Sequence, residues 1–515
     1  MSIFICLIFD YTIFLTVTNI TKTNFKVIDM NYLKFIFLLV FIVFADLLNA
    51  QWSNIDTITS NNMQDNIDRK NLIRDNNGTL HACWVERNPS TNLRKLFYIT
   101  KSTGSNWSAP VNVLTTMSGA YYQYIGVSKQ TGKPYIVFTK DSNSVSQVHL
   151  ASLNGGVWNI QMITSNANDK YYPAVTIDNN GKVHLTWSAE NASSVYKIFY
   201  CNDLQGSFTV RELSQSSPGD FGSGAAPNIA ISSDGRAHIT YRAGGFGDYD
   251  VEYAVNFAQG DTSWTYTLFL TPNTDDYEGL IEIGNDNTIH IVISGEDASI
   301  FPGIRDVYYV KKTTTGSWTT PAQVSSNQRG AAGSLYIDGN GFAHVALNHV
   351  SGNFITGNVY YASNITGSWT NTPVIENNQA YASNLTIDNN GKGHMLVYSG
   401  ELFEQQEIFA IESNTILTTV ENIGSAIPER FMLYQNYPNP FNPETKIKFS
   451  LPINSGVELK VFDITGKQVE VLVNGTLSQG LYEVSFDASG LTSGIYFYTL
   501  QTDNFTETRK MLLVK

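Results

Sequence analysis

The stretch YPAVTIDNNGKVHLTWSAE (Tyr172–Glu190) decides how this chain is read, because it returns as SNLTIDNNGKGHMLVYSGE (Ser383–Glu401). Each copy is an apolar run ending on Asp, an Asn-Asn-Gly reversal and a second apolar run that carries a His. Gly or Asn, both tolerant of positive φ, suits such a tight hairpin. Further copies are IRDNNGTLHACW (Ile73–Trp84), ISSDGRAHITY (Ile231–Tyr241), IGNDNTIHIVI (Ile283–Ile293) and IDGNGFAHVAL (Ile337–Leu347), with a weaker one at VSKQTGKPYIVF (Val127–Phe138). Their first turn residues, Asp75, Lys129, Asp178, Ser232, Gly284, Asp338 and Asp388, stand 49 to 54 residues apart.

A second signature follows each turn about thirty residues later: a small-residue turn and an aromatic-led strand, as in GSNWSAPVNVL, GGVWNIQMIT or TGSWTTPAQVS. Between the two lies a strand rich in Tyr and Phe. Each unit therefore reads as four strands, and the period is that of a β-propeller blade. The seventh unit has no aromatic fourth strand after EIFAIESN, whereas QWSNIDTIT (Gln51–Thr59) fits that slot from the other end of the chain. The expectation is an all-β chain with a seven-bladed β-propeller over 51–420, closed by the N-terminal strand with Trp52 in the last blade, which leaves no free sheet edge. The rival is that Ile416–Val420 fills the slot. A linker over 421–430 and a small immunoglobulin-like β-sandwich over 431–515 follow.

Composition agrees. Of 515 residues, 32 are Lys or Arg and 45 Asp or Glu, a formal charge of −13 with no basic cluster, which excludes a nucleic-acid groove. Charged residues make up only 15% of the chain, while Gly, Asn, Ser, Thr and Tyr abound, as in strands joined by turns. Residues 1–50 read as a leader. From Met30 the chain shows one Lys, an apolar run from Phe35 to Ala45 and Ala50 before Gln51, the layout of a cleaved secretory signal, so Met30 is the expected true start. The run is too short to span a membrane, and no transmembrane segment is expected in the mature chain. Cys83 and Cys201 fall in non-adjacent units and are expected as buried free thiols.

His81, His184, His238, His290, His344 and His394 each follow their first turn residue by six places. Repetition around a ring separates them, so hydrogen bonding within each blade is expected rather than a metal site. One Asp per turn supplies too few ligands for calcium, and no cofactor is implied. Seven places before the turn residues, at the expected mouth of the channel, stand Tyr122, Tyr171, Tyr277 and Tyr381, with Arg69 and Tyr172 beside them. Tyrosines at one register offer flat apolar faces with hydroxyl tips, suited to stacking on sugar rings, or else they pack strand ends. The long, varied loops of the same face add Glu190, Arg242, Glu296 and His349 as ligand-binding candidates.

The repeat resembles the sialidase-like and BNR-repeat propellers, a group of sialidases, other glycan-active enzymes, polysaccharide lyases and non-catalytic binders. The sialidase Asp box, Ser-x-Asp-x-Gly-x-x-Trp, is not matched, since the corresponding turns read TTTGSW (Thr313–Trp318) and LNGGVW (Leu153–Trp158). The C-terminal part is more specific. It contains Tyr437-Pro438-Asn439-Pro440-Phe441, the Asp463-Ile464-Thr465-Gly466-Lys467 hairpin, Gly494-Ile495-Tyr496 and a terminal strand with Lys510-Met511. This segment resembles the type A C-terminal sorting domain of the type IX secretion system. That resemblance implies a Bacteroidetes-like bacterium, contact with the secretion machinery, export across both membranes, and a secreted or outer-membrane surface-attached product. With no catalytic motif in the propeller, the leading expectation is a glycan or surface-ligand binding protein. The alternatives are an extracellular glycoside hydrolase or polysaccharide lyase, and a protein-binding adhesin or scaffold.

Overall fold

The repeated turn is built by its first side chain. At Asp178 one carboxylate oxygen accepts the backbone N–H of Asn180 and of Lys182, both at 2.8 Å. The backbone closes the same loop, with Asp178 N–H donating to Lys182 O at 2.9 Å and Gly181 N–H to Asp178 O at 3.0 Å. Gly181 sits at φ 76°, where a Cβ would be strained. Asp75 repeats the arrangement with Asn77 and Thr79 at 2.9 and 2.8 Å, and Asp338 and Asp388 accept from Phe342 and Lys392. The apolar runs on either side become antiparallel strands, such as Lys170–Ile177 against Val183–Glu190.

The computed structural model describes residues 4–9, 12–17 and 52–515, the last apart from short internal stretches of which 214–225, 400–406 and 298–303 are the longest. Every described regular element is a strand. Residues 1–50 form a unit of their own, in which Phe4–Phe9 pairs with Thr12–Val17; the signal sequence expected from Met30 to Ala50 lies outside the described residues.

Seven antiparallel sheets follow in chain order from residue 52 to 416. In sheets 2 to 6 four consecutive strands pair as a meander, as in sheet 4 with Asn228–Ile231, Ala237–Gly245, Asp248–Asn256 and Trp264–Phe269. Sheet 1 has an interrupted first strand, Gln64–Asn66 and Leu72–Arg74, both pairing with Leu80–Arg87. Sheet 7 comprises Ala380–Ile387, Lys392–Ser399, Glu407–Ile416 and, as its fourth strand, Trp52–Thr57. The segment Val420–Gly424 is not in that sheet. It pairs with Gly480–Asp487, so the stretch expected to be a linker from 421 begins as a strand of the C-terminal sheets.

One detail of register differs from the reading above. Ser128, not Lys129, holds the Asp slot of sheet 2, because Ser128 N–H donates to Lys133 O and Gly132 N–H donates back to Ser128 O. The loop is one residue longer there, which shifted the count by one.

The histidines and the aromatic-led strands belong to one device. Each His on a second strand meets a Tyr on the third: His81–Tyr98, His238–Tyr253 and His290–Tyr309 at 2.6 Å, His344–Tyr361 at 2.7 Å and His184–Tyr200 at 2.8 Å, all through Nδ1. The other ring nitrogen faces the turn, 3.4 to 3.6 Å from the carboxylates of Asp338, Asp75 and Asp178, and 2.9 Å from Ser232 Oγ. A proton on Nε2 suits this setting, since Nδ1 then accepts from the phenol. Each Tyr ring in turn meets the Trp of the following sheet: Tyr98–Trp158 at 5.0 Å, Tyr253–Trp318 at 5.1 Å, Tyr309–Trp369 at 5.2 Å, Tyr200–Trp264 at 5.4 Å and Tyr361–Trp52 at 5.6 Å between centroids. Such pairs contribute about 0.5–1.5 kcal/mol beyond area burial. Sheet 7 departs from the pattern, with Ala410 in the Tyr slot. There His394 keeps Asp388 at 3.2 Å, and Glu412 joins Lys392 at 3.1 Å and Lys101 of sheet 1 at 3.2 Å.

The apolar clusters between sheets are consecutive, and one unites Leu72, Leu80 and Trp84 of sheet 1 with Leu396, Ile408 and Ala410 of sheet 7. Cys83 and Cys201 are buried and unpaired to each other.

After residue 416, two four-stranded antiparallel sheets enclose one core containing Leu433, Phe449, Leu459, Tyr482, Tyr498 and Met511. The Asn-Tyr-Pro-Asn-Pro-Phe segment is fixed from within. Buried Asn436 donates from its side chain to Pro438 O and Thr445 Oγ1, both at 3.0 Å, and its backbone N–H donates to Tyr498 Oη at 2.8 Å.

Candidate functional site

The first strand of five sheets carries a bulge near its start. In sheet 3 Tyr171 pairs with Ser188 and Ala174 with Thr186, so Tyr172 and Pro173 together oppose Trp187. In sheet 2 Tyr122 and Gln123 likewise oppose Phe138, and sheets 5, 6 and 7 each gain one residue, at Tyr277, Gly333 and Ser383. A bulge breaks strict alternation and re-aims side chains. Tyr122 and Tyr172 lie at φ 56° and 50°, and Ala226 holds the equivalent slot of sheet 4 at φ 37°. Left-handed backbone is uncommon for a bulky residue, and such strain concentrates at ligand sites.

The bulges bring tyrosines from two sheets together. Tyr122 and Tyr172 are 4.2 Å apart between ring centroids, Tyr122 and Tyr171 6.4 Å, Tyr121 and Tyr122 6.0 Å, and Tyr171 and Tyr196 5.9 Å. Tyr121 is 44% exposed and the other four are half-buried, so the ladder presents ring surface to solvent. The Arg94 guanidinium lies 4.1 Å over the Tyr121 ring, a cation–π contact that backs the ladder from sheet 1. Burial, reinforced by Tyr196, Asp169 and Glu190, pushes the Tyr171 phenol up to about 12, so it remains a hydroxyl donor at neutral pH. Burial also lowers the neighbouring Lys170 ammonium to about 8; its Nζ donates to the Asn168 carbonyl.

Tyr121, Tyr196 and Arg94 are absent from the residues singled out in sequence. Counting from Ser128 would have found Tyr121, which matches Tyr171 in register, while Tyr122 matches Tyr172. Nothing in the local sequence marks Tyr196 or Arg94, whose positions depend on packing between sheets.

The remaining candidates do not join this ladder. Tyr277 lies 6.2 Å from Tyr249, and the Arg242 guanidinium lies 4.4 Å over the Tyr249 ring, a second aromatic group between sheets 4 and 5. Tyr381 stacks on Tyr398 at 5.3 Å in sheet 7 and rests against Gly357, where a Cβ would come within 3.3 Å of its ring. His349 meets the edge of Tyr360 at 5.9 Å. Glu190 ends its strand opposite Tyr196, its carbonyl accepting from Asn168 Nδ2 at 2.8 Å. Glu296 pairs through its backbone with Asp275 and Arg305, and its side chain is outside the described residues, as is all of Arg69.

At the turn side, a cavity of about 320 Å³ is lined by first-strand residues of all seven sheets, including Leu72, Gly126, Val175, Ile229, Glu282, Leu335 and Leu385. Lys70 of sheet 1 reaches Glu282 of sheet 5 at 2.5 Å, and Arg74 donates to Tyr336 of sheet 6 at 3.2 Å. Among the described residues no group of three or more His, Cys, Asp or Glu is placed to hold a metal ion, and no described helix is long and apolar enough to cross a membrane.

Residues 435–515 match the family of secretion system C-terminal sorting domains. This protein therefore carries a type IX sorting domain, engages the secretion machinery through it, and is exported to the cell surface or the extracellular space. No curated protein matches the chain in sequence. Among solved structures it is similar to the polysaccharide lyase Uly1, with a TM-score of 0.45 and 11% identity over 68% of this chain and 90% of that one. The β-propeller domain of the Trilobed protease from Pyrococcus furiosus, which has an open velcro topology, aligns with a TM-score of 0.42 and 10% identity, covering 70% of this chain and 97% of that domain. A protein of unknown function from Dyadobacter fermentans aligns with a TM-score of 0.41 and 9% identity, covering 70% and 98%.

Proposed function

We propose that the seven sheets are the blades of a seven-bladed β-propeller spanning 51–420, that the C-terminal sheets form an immunoglobulin-like sandwich, and that the exported propeller binds an extracellular glycan. Ring closure is supported by one cavity lined from all seven first strands and by the shared core of sheets 1 and 7. The binding reading rests on the ladder of Tyr121, Tyr122, Tyr171, Tyr172 and Tyr196, which offers stacking faces and hydroxyl tips.

The hydrolase or lyase alternative needs a proton donor. Burial, with Glu86 and Glu407 adding, raises the Asp65 carboxyl to about 7, which suits a general acid. Asp65 is fully buried, however, and has no access to a polymer. Binding therefore leads.

The test is native electrophoresis through gels cast with different polysaccharides and stained afterwards for intact polymer. Retardation with intact polymer, lost when Tyr122 and Tyr172 are replaced by Ala, is the expected result. Ala226 shows that alanine is accepted at this slot. A cleared track would establish turnover instead.

A further inference from the structure

Three carboxylates stand around the tyrosine ladder. Asp169 anchors the gap between sheets 2 and 3, its carboxylate accepting Ser146 N–H at 2.7 Å. Asp141, opposite Ser146, lies close enough to Asp169 for the two carboxylates to disfavour each other's charge, which together with burial raises Asp141. Glu190 is opposite Tyr196 and within electrostatic reach of Tyr171. Two of the nearby cations are already committed: Arg94 is only 8% exposed, lies flat on Tyr121 and partly offsets Asp141, and Lys170 is only 1% exposed with its ammonium turned to the Asn168 carbonyl. Beyond the site, the chain as a whole carries a formal charge of −13, whose field repels polyanions at a distance.

We infer that the ladder selects a glycan free of carboxylate and sulfate groups, either an uncharged chain or one bearing amino sugars. This rests on the glycan-binding reading above. Tyrosine rings take the C–H faces of pyranose units, while Asp141, Asp169 and Glu190 are acceptor-only groups that pair with sugar hydroxyls or ammonium groups. A uronate or sulfate brought to the same place meets like charge from the three carboxylates while Arg94 and Lys170 are turned to other partners, and discrimination comes from that repulsion.

The experiment runs the purified protein through native gels containing hydroxyethyl cellulose, glucomannan, glycol chitosan, polygalacturonate or dextran sulfate. Retardation is expected in one or more of the first three and not in the last two. The Tyr122→Ala/Tyr172→Ala variant should bind about tenfold more weakly, from the loss of two stacking faces. This variant also separates site binding from general attraction of an acidic protein to chitosan. Asp169→Asn/Glu190→Gln is expected to gain retardation in polygalacturonate relative to the unaltered protein. Wild-type retardation in either polyanion that disappears in the tyrosine variant would overturn the charge selection while leaving glycan binding intact. Failure of the carboxylate variant to gain would also overturn the selection. No retardation in any gel would overturn the binding reading itself.

Discussion

A carboxylate that takes two backbone N–H bonds with one oxygen and faces an imidazole with the other makes a turn and orders a sheet together. Asp75 and Asp178 both do this, Asp338 accepts from Phe342 N–H and faces His344, and Asp463 uses the same turn chemistry in the C-terminal domain, accepting from Thr465 and Lys467 at 2.8 and 3.1 Å. The imidazoles are enclosed, and burial holds His238 at about 3 and His290 at about 4, with His81 and His149 also lowered. Their folded pKa values lie below the unfolded value of about 6.5. Below that pH the unfolded chain takes up protons that the fold refuses, so stability falls as pH drops from about 6.5 towards 4, by roughly 1.4 kcal/mol per unit for each of His238 and His290. Asp65, raised to about 7, and Asp141, also raised, act oppositely and lose stability as pH rises, but they are two groups against several. The urea midpoint is therefore expected to fall steadily from pH 6.5 to 4.5, with a shallower slope in His238→Gln/His290→Gln. A midpoint that stays level or rises on acidification would contradict this account.

At the level of the strand, the segment Trp52–Thr57 carries the most specific expectation. Trp52 is 5% exposed, packs on Tyr361 and leaves room only for glycine at 393, where a Cβ would come within 2.5 Å of the indole. Trp52→Ala should cost about 3–5 kcal/mol, and deletion of residues 51–60 should lower the melting temperature much further. A deletion that melts like the parent would show that the strand is dispensable. This strand was legible in sequence because a Trp recurs at one offset in the repeat and is missing at the other end. The bulges were not legible, since an extra residue in a strand leaves the apolar pattern almost unchanged and is fixed by the register of its neighbour. The five-residue loop at Ser128–Gly132 hid Tyr121 for the same reason. Likewise the stretch from 421 reads as linker, and only the pairing of Val420–Gly424 with Gly480–Asp487 assigns it to the C-terminal sheets. Arg94 and Tyr196 join the ladder through contacts between sheets, which no local pattern encodes.

Over the whole molecule, the two thiols report how completely the sheets close over their cores. Cys83 and Cys201 are both 0% exposed, and burial pushes the Cys83 thiol up to about 12 and raises that of Cys201 as well. The chain from Gln51 should show no reaction with an aromatic disulfide reagent in its native state and two equivalents once unfolded. Early reaction of either thiol would mean that its sheet opens without global unfolding. The pairing of Trp52–Thr57 with Glu407–Ile416 has a mechanical side. Trp52 lies opposite Ser413 and Thr57 opposite Phe409, so residue 52 and the exit of the partner strand are at the same end. A load applied between these ends peels the strands apart as a zipper, with each hydrogen bond strained in turn. It does not shear them with all bonds loaded at once. The seam is thus the softest direction in which to pull, and a tether placed at any other turn would draw on a stiffer molecule.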